Sequence, residues 1–498
     1  MCDKLKPLDV LDGASNHGYA EDNHYETSSL PHGSTYDASA GDSINEDQDP
    51  LGAFASVLKT IRLDRLPAFA TQVRRLLAEH SQSTNSPSIE TATVASPLLS
   101  GSYHVLFPID FSDGARWILK VPGLGTIGKW GPAAARSLTS EALTMRLLCR
   151  ETTIPVPQIF EFSADLHDEI GVPFILMEWI DGCSLDEVWF DIAITEADLQ
   201  SRRTQTLRDV ASAMTQLSNF IFQCGGSIVF GADGAPSEVG PMRVVDSHAM
   251  IARLDADDDD EDDSPIYAEV GPFQDYRSYY AAGLARWPEP RVDWQKGDLA
   301  LLKLFLDWIP EFDDSMGASF VLTHPDFDIQ NILVSKDGHV KAIIDWDGVC
   351  AVPRTVGSER YPSWLTRDWD PTMYNYQSGM ETGSNFEGCR EDSPEKFAFY
   401  RNVYAGLIAQ SDSQVENVTR QSLIFENLLI AADDPLCTHG ILVNLFDKIK
   451  QVLNEGQTQG LGYWELTQNI AQGKADQRVV DILHGGFNAL LAGHKGLI

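Results

Sequence analysis

The chain has 498 residues, with 37 Lys and Arg against 73 Asp and Glu, and a formal net charge of −36. That balance argues against a phosphate backbone as the main ligand, and so against nucleic-acid binding. With 43% hydrophobic and 9% aromatic residues, the chain can bury a sizeable core, as two to three domains or one large domain with appendages.

Seven cysteines (Cys2, Cys149, Cys183, Cys224, Cys350, Cys389, Cys437) lie far apart with no C-x-x-C pair. This fits reduced thiols in a cytoplasmic protein better than a disulfide framework or a zinc site. The first residues show no basic run leading into an apolar one, and no stretch approaches the ~18 apolar residues of a membrane span. Neither export nor a membrane partner is expected.

Residues 1–50 carry 11 acids and two lysines among few large apolar residues, the composition of a disordered acidic tail. Residues 51–90 read as helices with a polar break, SQSTNSPS, at 81–88. Tyr103, Val105, Phe107, Ile109 and Phe111 then alternate with their neighbours. Asp113-Gly114 supplies a turn, and Arg116 to Val121 forms a second run with Trp117, Leu119 and Val121 on one face, which predicts a β-hairpin. Lys120 shares the other face with Arg116 and Ile118. A helix is predicted over 137–151, with Glu141, Met145 and Leu148 on one side. PVPQIFEFSAD and VPFILMEWIDG predict two more strands. Beyond residue 190 the pattern is largely helical: Leu207, Val210, Met214, Leu217 and Ile221 recur at helical spacing up to Gly225-Gly226. Asp255 to Asp263, with eight acids in nine residues, reads as a solvated loop.

Chemistry concentrates in FVLTHPDFDIQNILVSKDGHVKAIIDWD, residues 320–347. Asn331 to Val334 and His339 to Ile344 predict a second hairpin turning at Asp337-Gly338. Asn331 and Asp345 are symmetric in number about Gly338, so strand pairing should bring an amide oxygen and a carboxylate together, both hard ligands suited to Mg²⁺. Asp326, on the loop entering the hairpin, could accept a proton from a substrate hydroxyl. His324 should brace that loop. Asp328 adds a third carboxylate, and from sequence Asp347 points either to the metal or to solvent.

His324-x-Asp326-x4-Asn331 followed by Ile344-Asp345-Trp346 resembles the signature of the aminoglycoside phosphotransferase family, relatives of choline kinases and protein kinases. The resemblance implies an α+β, protein-kinase-like fold: a small antiparallel sheet lobe with one helix, and a mainly helical lobe. It implies that Asp326 orients or deprotonates the acceptor hydroxyl while Asn331 and Asp345 hold magnesium on ATP. It also implies that Lys120 contacts the α- and β-phosphates, held by Glu141. By the same resemblance Glu178 to Ile180 is the hinge that binds the adenine edge, and Gly101-Ser102 stands where the phosphate-covering loop belongs, without its G-x-G-x-x-G. Serine/threonine protein kinases have lysine where this chain has Asp328, which argues against protein substrates. The segment 352–365, VPRTVGSERYPSWL, resembles large fungal-type members.

Gly123-Leu-Gly125-Thr-Ile-Gly128-Lys129 imitates a phosphate-binding loop. Trp130 replaces the metal-binding Ser/Thr, however, and Gly131-Pro132 interrupts the helix that should follow. The run is therefore read as the connector between the Lys120 strand and the Glu141 helix. The expected organisation is an acidic tail (1–50), a helical extension (51–92), a sheet lobe with hinge (93–180), a helical lobe with the acidic insertion (181–430) and a C-terminal helical extension (431–498). The expected function is transfer of the γ-phosphate of Mg-ATP to a small-molecule hydroxyl. The acidic balance tilts the acceptor towards a cation, as in a choline- or ethanolamine-type kinase. The rival expectation is a kinase-like scaffold that does not transfer phosphate. Against it, every ligand and base position is filled.

Overall fold

The computed structural model describes residues 51–80, 91–254, 266–310, 320–381, 390–410, 415–459 and 461–493. The expected acidic tail, the break at 81–88 and the acidic run at 255–263 lie outside these residues.

The chain enters through α1 (Ala55–Thr60) and α2 (Leu66–His80), then builds β1 (Ala92–Val94), β2 (Leu99–Ser100), β3 (His104–Phe111) and β4 (Arg116–Pro122). After α3 (Pro132–Glu151) come β5 (Ile159–Ser163) and β6 (Phe174–Glu178). The six strands form one antiparallel sheet in the order β1-β3-β4-β6-β5, with β2 on β3. Alternation decides its two faces. Val105, Phe107, Ile109, Trp117, Leu119 and Val121 pack on one side with Val57, Leu66 and Phe69 of α1 and α2. Ile118 points to the other side, into the core shared with α3 and the second lobe. The helices of 51–80 thus cover the outer face of the sheet.

The helix carrying Glu141 starts at Pro132, five residues before its expected start. Pro132 occupies the first helical position, where its missing N–H and fixed φ suit the helix, so Gly131-Pro132 opens this helix and does not interrupt it.

The second lobe begins with β7 (Cys183–Ser184), α4 (Leu185–Trp189) and α5 (Glu196–Leu217). Here the helical expectation fails at its end: Ile221 is half exposed and pairs with Val321 in β8 (Ile221–Phe222). Three more strands follow, β9 (Gly226–Phe230), β10 (Pro236–Gly240) and β11 (Met242–Val245), then α6 (Ser247–Leu254), β12 (Tyr267–Val270), α7 (Tyr276–Tyr280) and α8 (Asp293–Asp307). Residues 320–353 supply β13 (Phe320–Thr323), β14 (Ile332–Val334), β15 (Val340–Ile343) and β16 (Cys350–Pro353). Strands β10-β9-β16-β13-β8 form a second antiparallel sheet, β15-β14-β7 a third, and β11-β12 a separate ribbon.

Helices α9 (Pro394–Ala409), α10 (Val415–Asp433), α11 (Thr438–Val452), α12 (Glu455–Thr458), α13 (Tyr463–Ala471) and α14 (Gln477–Leu491) complete the chain. The last of them share the lobe's core, with Phe487 of α14 stacked on Phe305 of α8 at 5.4 Å. The molecule has the α+β, protein-kinase-like two-lobed architecture: antiparallel sheet first, mainly helical lobe second.

The β14–β15 hairpin turns as expected, with Gly338 at φ +87° and its N–H on Ser335 O at 2.9 Å. Its register differs from the numerical symmetry. Val334 pairs with Val340 but Leu333 pairs with Ala342, so Lys341 is an extra, bulged residue. The slip places Ile344 opposite Asn331, its N–H donating to Asn331 O at 2.9 Å. Asp345 lies one residue beyond the paired strand.

Candidate active site

Strand β4 aims Lys120 at the interior between the lobes, and α3 brings Glu141 to meet it. Lys120 Nζ donates to Glu141 Oε1 at 2.6 Å and to Asp345 Oδ1 at 2.9 Å. Side-chain exposure is 7% for Lys120, 5% for Glu141 and 32% for Asp345. Burial alone would strip the charge from such an ammonium. The carboxylates of Asp345, Glu141 and Asp347 overcome burial and hold its pKa above the ordinary lysine value. The result is a charged bridge between the sheet, its helix and the loop after the β14–β15 hairpin.

Asp345 reaches Lys120 by a local distortion. It is the one non-glycine residue with positive φ among the described residues, at 65°, a conformation costing about 1–3 kcal/mol that surrounding structure must impose. The adjacent Trp346 is fully buried, and its Nε1 donates to Ile343 O at 3.0 Å. That anchor fixes the backbone on the far side of Asp345.

The loop from β13 to β14 is held from beneath. His324 is fully buried, and its Nε2 lies 2.9 Å from Ile344 O. Burial lowers its pKa to about 4, so the imidazole is neutral and Nε2 is the donating nitrogen. The carbonyls of His324 and Phe327, on either side of Asp326, accept from Arg360 Nη2 at 3.2 Å and Ser363 N at 2.9 Å. Arg360 is itself paired with Glu426 of α10. Asp326 is exposed between these supports. Its carboxylate accepts from Asn331 Nδ2 at 2.6 Å and Gln330 Nε2 at 3.3 Å, and its backbone oxygen accepts from Asn331 Nδ2 at 2.7 Å.

The fold therefore brings Lys120, Glu141 and Asp345 into one cluster, Asp326 and Asn331 into another, and braces the second with His324. Asp328 turns into its own loop: it caps the short turn Ile329–Asn331 by accepting from Ile329 N at 2.7 Å, and burial pushes its carboxyl up to about 6. Asp347 turns towards α3 and the sheet, accepting from Ser137 Oγ at 3.1 Å and facing His104 Nε2 at 3.9 Å.

The backbone of Glu178 to Ile180, the expected hinge, is partly committed within the protein. Glu178 N donates to Gln158 O at 2.9 Å and Trp179 N to Arg116 O at 3.4 Å, while Ile180 N has no backbone partner among the described residues. Gly101 and Ser102 form the tight turn from β2 to β3, with Gly101 N on His104 O at 2.9 Å.

Sequence reasoning missed Gln330, the Arg360–Glu426 pair and the Ser137–Asp347 bond. Ser137 had a signal, since it precedes Glu141 by four residues and so shares its helix face. Arg360 and Glu426, 66 residues apart, had none.

A cavity of about 570 Å³ adjoins Lys120, Glu141, Ser102 and Asp347, whereas Asn331, Asp326 and the hinge residues lie outside its lining. Among the described residues no helix is long and apolar enough to cross a membrane.

The sequence profile of the phosphotransferase enzyme family APH matches residues 109–356, the stretch that holds both clusters. The chain belongs to this family. It is similar to "Altered inheritance of mitochondria protein 9, mitochondrial" of Candida glabrata, 26% identical over 177 residues, covering 33% of this chain and 26% of that protein. It is also similar to a subtelomeric hrmA-associated cluster protein of Aspergillus fumigatus, 23% identical over 319 residues, covering 54% of this chain and 60% of that one. The match to the Candida protein spans about a quarter of that relative's length. Among solved structures it resembles a thermostable mutant of aminoglycoside phosphotransferase APH(4)-Ia in ternary complex with AMP-PNP and hygromycin B. The identity there is 15% and the TM-score 0.35, covering 78% of this chain and 94% of that one.

Proposed function

We propose that this APH-family chain is an ATP-dependent phosphotransferase that moves the γ-phosphoryl group of Mg-ATP to a hydroxyl of a small molecule. The observation that carries the reading is the buried Lys120, bonded at once to Glu141 and Asp345. Such a charge, kept ionised inside the protein, suits the α- and β-phosphates of a nucleotide. Gly101-Ser102 covers those phosphates, and the Glu178–Ile180 hinge holds the adenine, with the Ile180 amide as donor.

Asn331 and Asp345 fit a magnesium ion by their chemistry. Both offer hard oxygens, and the bonds from Asn331 Nδ2 to Asp326 turn the amide oxygen the other way. When bound, the ion supplies charge neutralisation on the transferring phosphate. Asp326 accepts the acceptor's hydroxyl proton as that oxygen bonds to the γ-phosphorus and the bond to the ADP oxygen breaks. His324 acts as a positioning residue, being buried and neutral at the back of the loop. The acidic surface favours a cationic acceptor.

The test is thermal unfolding with and without Mg-ATP, for wild type and Asp345→Ala. Ligand at 100 times its dissociation constant adds about 2.7 kcal/mol. A magnesium-dependent shift lost in the variant leads to a screen of hydroxyl acceptors for turnover. No shift at millimolar nucleotide refutes the reading in favour of a non-transferring scaffold. For location we propose the cytosol from the scattered thiols. The relatives named as mitochondrial supply the alternative, and imaging of the tagged full chain decides between the two.

A further inference from the structure

Two sequence features have no role in the proposed function: the glycine run at 123–128 and the acidic run at 255–263. The fold brings the described flanks of both to the same place. The connector residues Gly123, Leu124 and Gly128 to Gly131 form one wall of the 570 Å³ cavity, and the β11–β12 ribbon, which flanks the insertion, contributes Arg243, Ile266 and Tyr267. Two glycines of the run are required by close packing. A Cβ on Gly123 would lie 2.9 Å from the Phe54 ring, and one on Gly125 would lie 2.9 Å from Pro122 O and from Pro173 Cγ.

The lining is amphipathic. Phe54, Trp130, Leu138 and Ile175 supply apolar surface. The two acids that line it are already engaged, Glu141 by Lys120 and Asp347 by Ser137 and His104. Lys129 and Arg243 add positive charge, the Arg243 guanidinium lying over the Tyr267 ring at 3.4 Å from its centre. The first turn of the 20-residue α3 also faces the space through Ala133 and Ala134, adding the positive end of a helix dipole. A volume of this size suits a small organic ligand.

We propose that this cavity is a second ligand site for an amphipathic anion, an aryl or alkyl group bearing a carboxylate, sulfonate or phosphate. The apolar part lies against Phe54, Trp130, Leu138 and Ile175, and the anionic end meets Arg243 and Lys129. The site is separate from the acceptor, because neither Asp326 nor Asn331 lines it. Lys120, Glu141 and Ser102, which the proposed function places at the nucleotide phosphates, form part of its lining, so the anion and the nucleotide share that wall and each opposes the binding of the other by the same factor.

The probe is 8-anilinonaphthalene-1-sulfonate, titrated by fluorescence into the full chain without nucleotide, so this result is independent of whether the chain binds ATP. Wild type should bind one equivalent saturably. Arg243→Ala should weaken binding about tenfold or more, the effect of removing a charge-assisted contact. Ala133→Trp, which fills the cavity from the helix surface, should abolish it. Lys129→Ala, on the exposed connector, gives a third reading with little risk to folding. Unfolding transitions like that of wild type show that the variants are folded. Non-saturable binding, or saturable binding unchanged in Arg243→Ala, Lys129→Ala and Ala133→Trp, overturns the proposal.

Discussion

The buried imidazole of His324 gives the most direct quantitative test of how the Asp326 loop is held. Its pKa falls from 6.5 to about 4 on folding because burial opposes the charged form, while the Ile344 carbonyl and the carboxylates of Asp326 and Asp345 only partly compensate. The unfolded chain therefore takes up a proton below pH 6.5 that the folded chain refuses until about pH 4. Stability from this group is present above pH 6.5 and is lost as pH falls. At 1.36 kcal/mol per pH unit, wild type loses about 2 kcal/mol between pH 7.5 and pH 5 through this residue. His324→Gln removes the titration, so its deficit relative to wild type should shrink by about that amount over the same range. Urea unfolding at pH 7.5, 6.5, 5.75 and 5 gives both curves. Parallel curves would show that the imidazole is not buried neutral, and a gap that widens towards acid would show an imidazolium stabilised by Asp326.

Three further perturbations test other parts of the arrangement. Asp326→Asn should reduce phosphotransfer about 10²- to 10⁴-fold while leaving stabilisation by Mg-ATP intact; equal turnover removes Asp326 as the proton acceptor. Lys120→Ala should cost about 3–5 kcal/mol in urea unfolding, because Glu141 is left buried without its partner. The Lys120→Ala, Glu141→Ala double variant should then be less costly than the sum of the two single changes, and simple additivity would mean that the pair is not coupled. Gly338→Ala should cost about 1–3 kcal/mol, since the residue sits at φ +87° and an added Cβ would meet Arg202 O at 2.7 Å. An unchanged unfolding midpoint would mean that the turn relaxes freely.

The buried network behind the loop explains how an exposed carboxylate keeps its position. Asp326 lies between two carbonyls held from below, one by Arg360 and one by the backbone of Ser363. Glu426 on α10 holds Arg360 in turn, so α10 supports the Asp326 loop through a buried ion pair. Such a pair contributes geometry more than net stability.

What the sequence alone determined was set by local periodicity and motif spacing. Alternation placed Trp117, Leu119 and Val121 against Lys120, and the structure keeps that division, because a strand has only two faces. The H-x-D-x4-N and I-D-W spacings located the loop and hairpin, since both are short, continuous stretches whose chemistry is concentrated in sequence. Where local pattern and tertiary demand compete, the sequence misleads. Ile221 continues a helical stripe, yet pairing with β13 draws it into a strand. Asn331 and Asp345 look symmetric about Gly338, yet the turn pairs Val334 with Val340, and even with the bulge at Lys341 the residue opposite Asn331 is Ile344. Asp345 then reaches Lys120 only through a left-handed backbone. The Ile221–Val321 pairing, the Lys120–Asp345 bond and the Arg360–Glu426 support join residues far apart in the chain. Only the tertiary structure could decide them, because the packing that enforces each one does not exist until the two lobes have formed.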